Sequence, residues 1–387
     1  MLSNSNTILS LFKANKFHEV IELLDKSKNE NKNSYMFYFY RGIAYLKLNK
    51  FSKAKEDFNK GVSLNSNSPE IFNNLGILNY TIGENEQAIE NFIKSINLKN
   101  NFKQSISALI NVLSHTENYE KNNSDIVSTH NKLNQINFNY SAQDFIISKK
   151  IKDYMCEINN VVDDKLKNLE FDMTQTYRRN KPPLHCDRHK KVFNTFNAIP
   201  KFCFDCFKVQ IELDNVVDLI KLFIIFDNIK FLNNYIRKCM IELRPNVSGK
   251  YKGLVYCSSI KESENILSQL KEVLGKNINS NISYKIKKGC SEYAFKYPTY
   301  DSLKDNAMTY NPEWKKYEDS IDQQNPDLIL DKITRPTIKG VSLYDALVIR
   351  NWLAYAKLIN DKSHTEITNQ NFYSKFIEKH LKRSKSA

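Results

Sequence analysis

Tyr38–Asn65, YFYRGIAYLKLNKFSKAKEDFNKGVSLN, and Phe72–Lys99, FNNLGILNYTIGENEQAIENFIKSINLK, decide how the first third of the chain folds. Set one above the other they agree at a spacing of 34 residues: Tyr38, Arg41, Gly42, Tyr45, Ala54 and Phe58 meet Phe72, Leu75, Gly76, Asn79, Ala88 and Phe92. Apolar residues recur at helical spacing in both halves of each copy, so each copy reads as two helices joined by a turn. The small residues have a job in that geometry. Gly42 or Gly76 lets the second helix cross closely over the first, and Ala54 or Ala88 forms the reciprocal contact.

This pattern resembles the tetratricopeptide repeat, over about Asn4 to Lys121. Leu9 to Asp25, with Phe17, Val20 and Leu24, looks like a less complete first copy, and Ser105 to Leu133, which keeps apolar spacing but has lost the small residues, reads as a cap. The Trp and most of the closing Pro of the family pattern are missing. The resemblance implies an array whose concave face holds a peptide or partner protein, with Lys47, Asn73 and Asn74 facing the groove. A packing role for the array toward its own C-terminal half is the competing expectation.

Downstream, apolar spacing from Tyr140 to Leu169 predicts one or two connecting helices, and Asn180–Pro183, NKPP, ends them. Next come Cys186 and His189, two residues apart, then Cys203 and Cys206 at the same gap. Zinc takes thiolate and imidazole ligands in a tetrahedron, and a two-residue gap lets one tight turn present two of them. The expectation is therefore a structural zinc knuckle, with His185, Cys239, Cys257 or Cys290 as substitute ligands. An iron–sulfur cluster fits less well, since it prefers four thiolates.

From Lys208 to Pro298 the pattern is strand, helix, strand, strand, helix, strand, with Ser259 and Glu262 as a capping box for the second helix. That order predicts a ferredoxin-like βαββαβ sandwich. It also predicts Cys203, Cys206, Cys239, Cys257 and Cys290 near one end of the sheet. The helix Val216–Phe226 is apolar nearly all round and needs cover on more than one side, which Leu343–Leu358 is placed to give.

Composition bounds the function. The chain has 387 residues, 41% hydrophobic and 26% charged, enough for two or three cores. Its net charge of +14 invites a nucleic-acid reading, but Lys far outnumbers Arg and Asn and Ile abound, so part of the charge is base composition of the gene. The nucleic-acid alternative rests on Arg178, Arg179, Lys181, Arg188, Lys190 and Lys191, and on Lys252–Cys257, KGLVYC, whose Lys252, Gly253 and Tyr256 resemble the third strand of an RNA-recognition motif. No phosphate loop, nucleophile elbow or HExxH helix occurs, so enzymatic activity is uncertain; thiol redox or metal-dependent chemistry is the second alternative. With seven cysteines, no evident signal peptide and no apolar run of spanning length, a cytoplasmic protein with no membrane partner is expected.

The expected architecture is α+β: tetratricopeptide-like repeats over 1–135, connecting helices over 136–176, the Cys/His knuckle over 177–207, the sandwich over 208–298, and a wrapping arm with C-terminal helices over 299–387. The expected function is a scaffold or adaptor that holds a protein or peptide.

Overall fold

A computed structural model describes residues 5–138, 148–179, 184–233, 235–278, 280–304, 306–330 and 335–385. Its main helices, in chain order, are α1 Ser5–Lys13, α2 Phe17–Lys26, α3 Tyr35–Lys47, α4 Phe51–Leu64, α5 Pro69–Ile82, α6 Asn85–Leu98, α7 Lys103–Leu113, α8 Asp125–Asn134, α9 Ser148–Leu166, α10 Cys186–Phe196, α11 Val216–Asn228, α12 Ile260–Asn277, α13 Ser291–Lys296, α14 Lys315–Gln324, α15 Leu343–Leu358 and α16 Lys375–Lys385. The strands are β1 Gln175–Arg178, β2 Phe207–Leu213, β3 Arg237–Ile241, β4 Tyr251–Cys257 and β5 Ser283–Lys288. Lys181 and the start of the predicted connecting helix, 140–147, lie outside the described residues. The chain forms two compact units: Met1–Val112 with Pro183–Pro200 and Asn311–Ile333, and Leu113–Pro182 with Lys201–Tyr310 and Thr334–Ala387.

In the first unit, α1/α2, α3/α4 and α5/α6 are three successive helical hairpins. The glycines sit at the predicted crossings. A Cβ on Gly42 would stand 2.7 Å from Phe58 Cε1, and one on Gly76 2.5 Å from Phe92 Cε1. The turn inside each hairpin repeats too. Asn15, Asn49 and Gly83, each 34 residues from the last, have φ of 57°, 57° and 95°. The residue after each closes the same backbone bond: Lys16 N to Leu11 O (3.0 Å), Lys50 N to Tyr45 O (2.9 Å) and Glu84 N to Asn79 O (2.8 Å). Asn and Gly are the residues that tolerate this left-handed conformation. The register therefore begins with α1, where Ile8 takes the place of the glycine. Arg41 ties neighbouring hairpins together, reaching Asp57 on α4 (2.8 Å) and Asp25 on α2 (2.6 Å).

The same unit takes in two later segments. α10 and α14 pack against each other through Val192, Ala198 and Ile321, with Phe196 stacked on Tyr317. The Arg188 guanidinium forks onto Glu318 (2.9 Å) and Asp322 (2.6 and 2.7 Å).

The second unit holds one five-stranded sheet, in the order β1-β3-β4-β2-β5, with every neighbouring pair antiparallel. β2-α11-β3 and β4-α12-β5 are its two helical connections, and β3 joins β4 through a turn at Gly249 (φ 78°). α11 is buried from Val216 through Asp227 and α15 from Leu343 through Ala356. They meet, with Phe223 edge-on to Trp352 at 6.3 Å between centroids. This is the cover that an all-apolar helix requires. α8, read from sequence as part of the cap, packs on α9 and α15 in this second unit.

Candidate interaction surface of the repeat array

Three polar residues were expected along the inner helices of the array, and they have separate fates. Asn73 is buried and accepts a hydrogen bond from Ser105 Oγ at 2.9 Å, so it fastens α5 to α7. Asn74 is half-buried and donates to Glu70 O of its own helix at 2.8 Å. Lys47, at the end of α3, reaches out of the repeats to Asp327 of the same unit at 2.8 Å. Beside it the amide of Asn49, the left-handed turn residue, donates to Pro326 O at 2.7 Å. One turn on from Asn73, Ile77 is 38% exposed and occupies the register position of Ile43. The array thus offers an apolar position on α5 and a cation with an amide at the end of α3.

The cysteines and histidines are divided. Cys186 and His189 open α10 in the first unit, whereas Cys203 and Cys206 precede β2 in the second. Cys186 is exposed. His189 is buried, and burial, aided by the charges of Arg188 and His185, lowers its pKa to about 4. The His185 ring contacts Leu328 O at 3.0 Å. Among the described residues no group of three or more His, Cys, Asp or Glu is placed to hold an ion.

Most of the thiols do share one end of the sheet. Phe207 pairs with both Cys257 and Lys288, and Gly289 N donates to Cys206 O at 2.8 Å, which puts Cys206, Cys257 and Cys290 at the same end. Cys203 joins them through Tyr293, whose hydroxyl lies 3.8 Å from its sulfur, and Tyr300, whose hydroxyl donates to its carbonyl at 2.6 Å. Cys239 is the exception, paired with Gly253 well inside the sheet. Burial pushes the Cys257 thiol up to about 11 and raises Cys206 as well. Burial thus favours the protonated thiol at Cys257 and Cys206, the opposite of an activated thiolate.

The residues proposed for phosphate are mostly committed elsewhere. Arg178 is fully buried, held between Asp227 and Asp345 (2.9 Å to the latter) and bonded to Gly340 O at 2.6 Å. It is a strand residue with two carboxylates, and reading it as part of a basic loop is corrected on that ground. Arg188 is spent on its acidic pair, and Lys191 bonds Asn325. Arg179 is half-buried and Lys190 exposed. In KGLVYC, Lys252 is 2% exposed and paired with Glu242 at 3.0 Å. Gly253 is needed because a Cβ there would run into Leu222 of α11. Two of the three residues that suggested an RNA-binding strand are explained by packing, which leaves Tyr256, under Lys208 and Lys238.

The Arg178–Asp227–Asp345 cluster itself escaped sequence reading. Only Asp345 had a legible signal, as the closing residue of the capping box begun by Ser342.

Residues 35–68 match the family model described as Tetratricopeptide repeat. The N-terminal region is a tetratricopeptide-repeat array. Solved structures that resemble the chain include the first TPR of Spaghetti (RPAP3) bound to the HSP90 peptide SRMEEVD, at 22% identity over 28% of this chain and 85% of that one, with a TM-score of 0.27. The Arabidopsis OM64 TPR domain gives 16% identity over 28% and 90%, with a TM-score of 0.28. YrrB, a TPR protein with an unusual peptide-binding site, gives 12% over 42% and 85%, with a TM-score of 0.27. No curated protein matches the chain. Among the described residues no helix is long and apolar enough to cross a membrane.

Proposed function

We propose that the protein is an interaction adaptor whose tetratricopeptide array holds a protein or peptide partner along its inner helices. The observation that carries this reading is the 34-residue register itself, kept through three hairpins down to the left-handed turns at Asn15, Asn49 and Gly83. Such a register stacks equivalent helices side by side and produces one continuous face. Ile77 leaves apolar surface on that face, where a partner side chain gains from burial. The test is crosslinked affinity capture with the full chain and with Ile77→Arg, an exposed substitution that the fold tolerates. A discrete partner captured by the parent and lost from the variant supports the reading, and identical capture by both overturns it.

Two finer statements belong to the same proposal. The second unit is a ferredoxin-like sandwich with β1 added at its edge; the order β3-β4-β2-β5 and the two helical connections support it. A zinc-type site at Cys186, His189, Cys203 and Cys206 rests on ligand spacing alone. Zinc content by mass spectrometry on protein purified in reducing buffer decides it, with stoichiometric metal supporting the site and absence of metal ending it.

A further inference from the structure

We propose that Pro326–Ile329 is a built-in occupant of the repeat array, seated on the end of α3, and that a ligand reaches Lys47 and Asn49 only when this segment leaves. The inference rests on the adaptor reading and adds its regulation.

The segment approaches the array as a ligand would. Its 3-10 turn, Pro326–Leu328, packs on α3. It offers one carboxylate and one backbone carbonyl, Asp327 to Lys47 at 2.8 Å and Pro326 O to Asn49 at 2.7 Å. The next repeat shows that these donors are not required by the fold. There Thr81 stands for Lys47 and Gly83 for Asn49, and the hairpin keeps the same turn bond, Glu84 N to Asn79 O. The Lys47 and Asn49 side chains are therefore not required by the hairpin; the first repeat carries the same pair, Lys13 and Asn15, so what is particular to the second repeat is the segment seated on it.

The segment is also tethered so that it can leave without unfolding its neighbours. On one side it follows α14, which is fixed to α10 by the Arg188 fork and by the Phe196–Tyr317 stack. Asn325 itself is buried and stays with α14, its backbone N and its side-chain amide both donating to Ile321 O at 2.9 Å and its Oδ1 accepting from Lys191. Beyond it the holds outside the segment are few: the two bonds to the array, and His185 against Leu328 O. The ion pair is part-exposed, 45% at Lys47 and 25% at Asp327. Pairs of that kind are individually weak and screened by salt. What keeps the segment in place is attachment, since a tethered ligand experiences an effective concentration in the millimolar range.

The experiment has two arms, both on the full chain. In the first, Lys47→Thr/Asn49→Gly gives the second repeat the residues of the third, and hydrogen exchange is followed over 322–330. Exchange there should rise about tenfold, with residues 35–64 unchanged, since the double substitution removes both array bonds. In the second, a fluorescein-labelled peptide copying Gln323–Leu330 is titrated against the parent and against Pro326→Gly/Asp327→Ser, which vacates the site while leaving the array intact. The peptide should bind the vacated variant at least about tenfold more tightly than the parent, because the tethered copy no longer competes. Equal binding to both, binding to neither, or unchanged exchange in the first arm overturns the proposal. None of these outcomes depends on Ile77 or on a captured partner, so failure here leaves the adaptor reading standing, and failure of capture leaves this result standing.

Discussion

Each unit of the molecule contains an arginine held by two aspartates, and the two clusters differ in how far they are removed from water. In the repeat array Arg41 joins Asp57 and Asp25, and Asp25 is 46% exposed. In the sheet unit Arg178 joins Asp227 and Asp345, with side-chain exposures of 0%, 7% and 3%. The desolvation cost of a charge is large in a dry interior and small at a wet edge, so the same chemistry has different consequences on deletion. Arg41 links hairpins that already pack through Val20, Leu24 and Phe37. Arg178 neutralises two buried carboxylates, Asp227 on α11 and Asp345 in the first turn of α15, and Asp345 also closes the N-terminal cap of that helix.

Arg178→Met should therefore be the most damaging single change, costing about 3–5 kcal/mol, since breaking a buried pair leaves uncompensated charge. Arg41→Met should cost less, about 1–2 kcal/mol, because water reaches Asp25, at 46% exposure, and the guanidinium itself, although Asp57 at 7% is left buried. Each unit carries its own tryptophan, Trp314 in the first and Trp352 in the second, so denaturation read in Trp314→Phe and Trp352→Phe backgrounds separates them. Adding Asp227→Asn and Asp345→Asn to Arg178→Met should recover part of the loss. A shift below about 1 kcal/mol for Arg178→Met would remove the contrast between the clusters.

Acid provides the next largest effect, and it acts on both units in the same direction. His130 in the sheet unit is fully buried, with one ring nitrogen 3.0 Å from Thr116 O and the other accepting from Leu343 N at 3.4 Å. Burial lowers its pKa to about 4, as it does for His189 in the repeat unit. A free histidine titrates near 6.5. Between about pH 6.5 and pH 4 the unfolded chain thus binds a proton that the folded chain refuses. The stabilisation is full above the unfolded value, falls as pH drops, and is gone below the folded one. For His130 the loss across that window is about 3 kcal/mol. Stability against pH for the parent and His130→Gln, read at Trp352, should diverge by that amount, while His189→Gln should flatten only the signal at Trp314. Parallel curves for parent and variant would show that the histidines do not titrate on unfolding.

Packing at the glycines ranks below this. Gly76→Ala places a methyl 2.5 Å from the Phe92 ring, and overpacking of this kind costs about 1–3 kcal/mol. Gly253→Ala should do the same in the sheet unit, where Leu222 of α11 lies over the strand. Thermal melts of the two variants check both, and a neutral Gly76→Ala would mean that Phe92 moves aside freely.

The two units also differ in how much their residues announce. The repeat array was readable because its information is local and periodic: Gly42 and Gly76, Ala54 and Ala88, Phe58 and Phe92 recur at one spacing. Four of the sheet unit's strands, β2 to β5, and the helices between them were readable from alternation and from the Ser259 cap, since these also depend on near neighbours, whereas the edge strand β1 was not. What escaped was non-local. The sequence separation from Arg178 to Asp345 is 167 residues, and nothing in QTYR marks its last residue as internal. Lys252 and Gly253 misled for the same reason, because Glu242 and Leu222 reach them only in the folded sheet. Cys-x2-His and Cys-x2-Cys spacing shows that two ligands can face one ion, but not that two such pairs meet. Of the interaction surface, Lys47 was legible as a groove residue, whereas its partner Asp327 lies 280 residues away.

The smallest effect concerns the helix caps, and it sharpens the comparison. Ser68 caps α5 in the array, its Oγ accepting from Ile71 N at 3.4 Å, with Pro69 preset for the first helical position. Ser342 caps α15, accepting from Asp345 N at 3.2 Å while its hydroxyl donates to the Asp345 carboxylate at 2.7 Å. Loss of a capping hydroxyl costs about 0.5–2 kcal/mol in general. Ser68→Ala belongs at the low end of that range, because the bond is long and proline already fixes the entry of the chain. Ser342→Ala belongs at the high end, because it also withdraws a donor from a buried carboxylate that Arg178 must share with Thr176. The two should separate by about 1 kcal/mol in denaturant midpoints read at Trp314 and Trp352. If they coincide, Asp345 draws its stabilisation from Arg178 alone, and the cap and the ion cluster act independently. If Ser342→Ala is the larger and its cost shrinks in the Arg178→Met background, the two form one cooperative network that fixes the start of the buried helix.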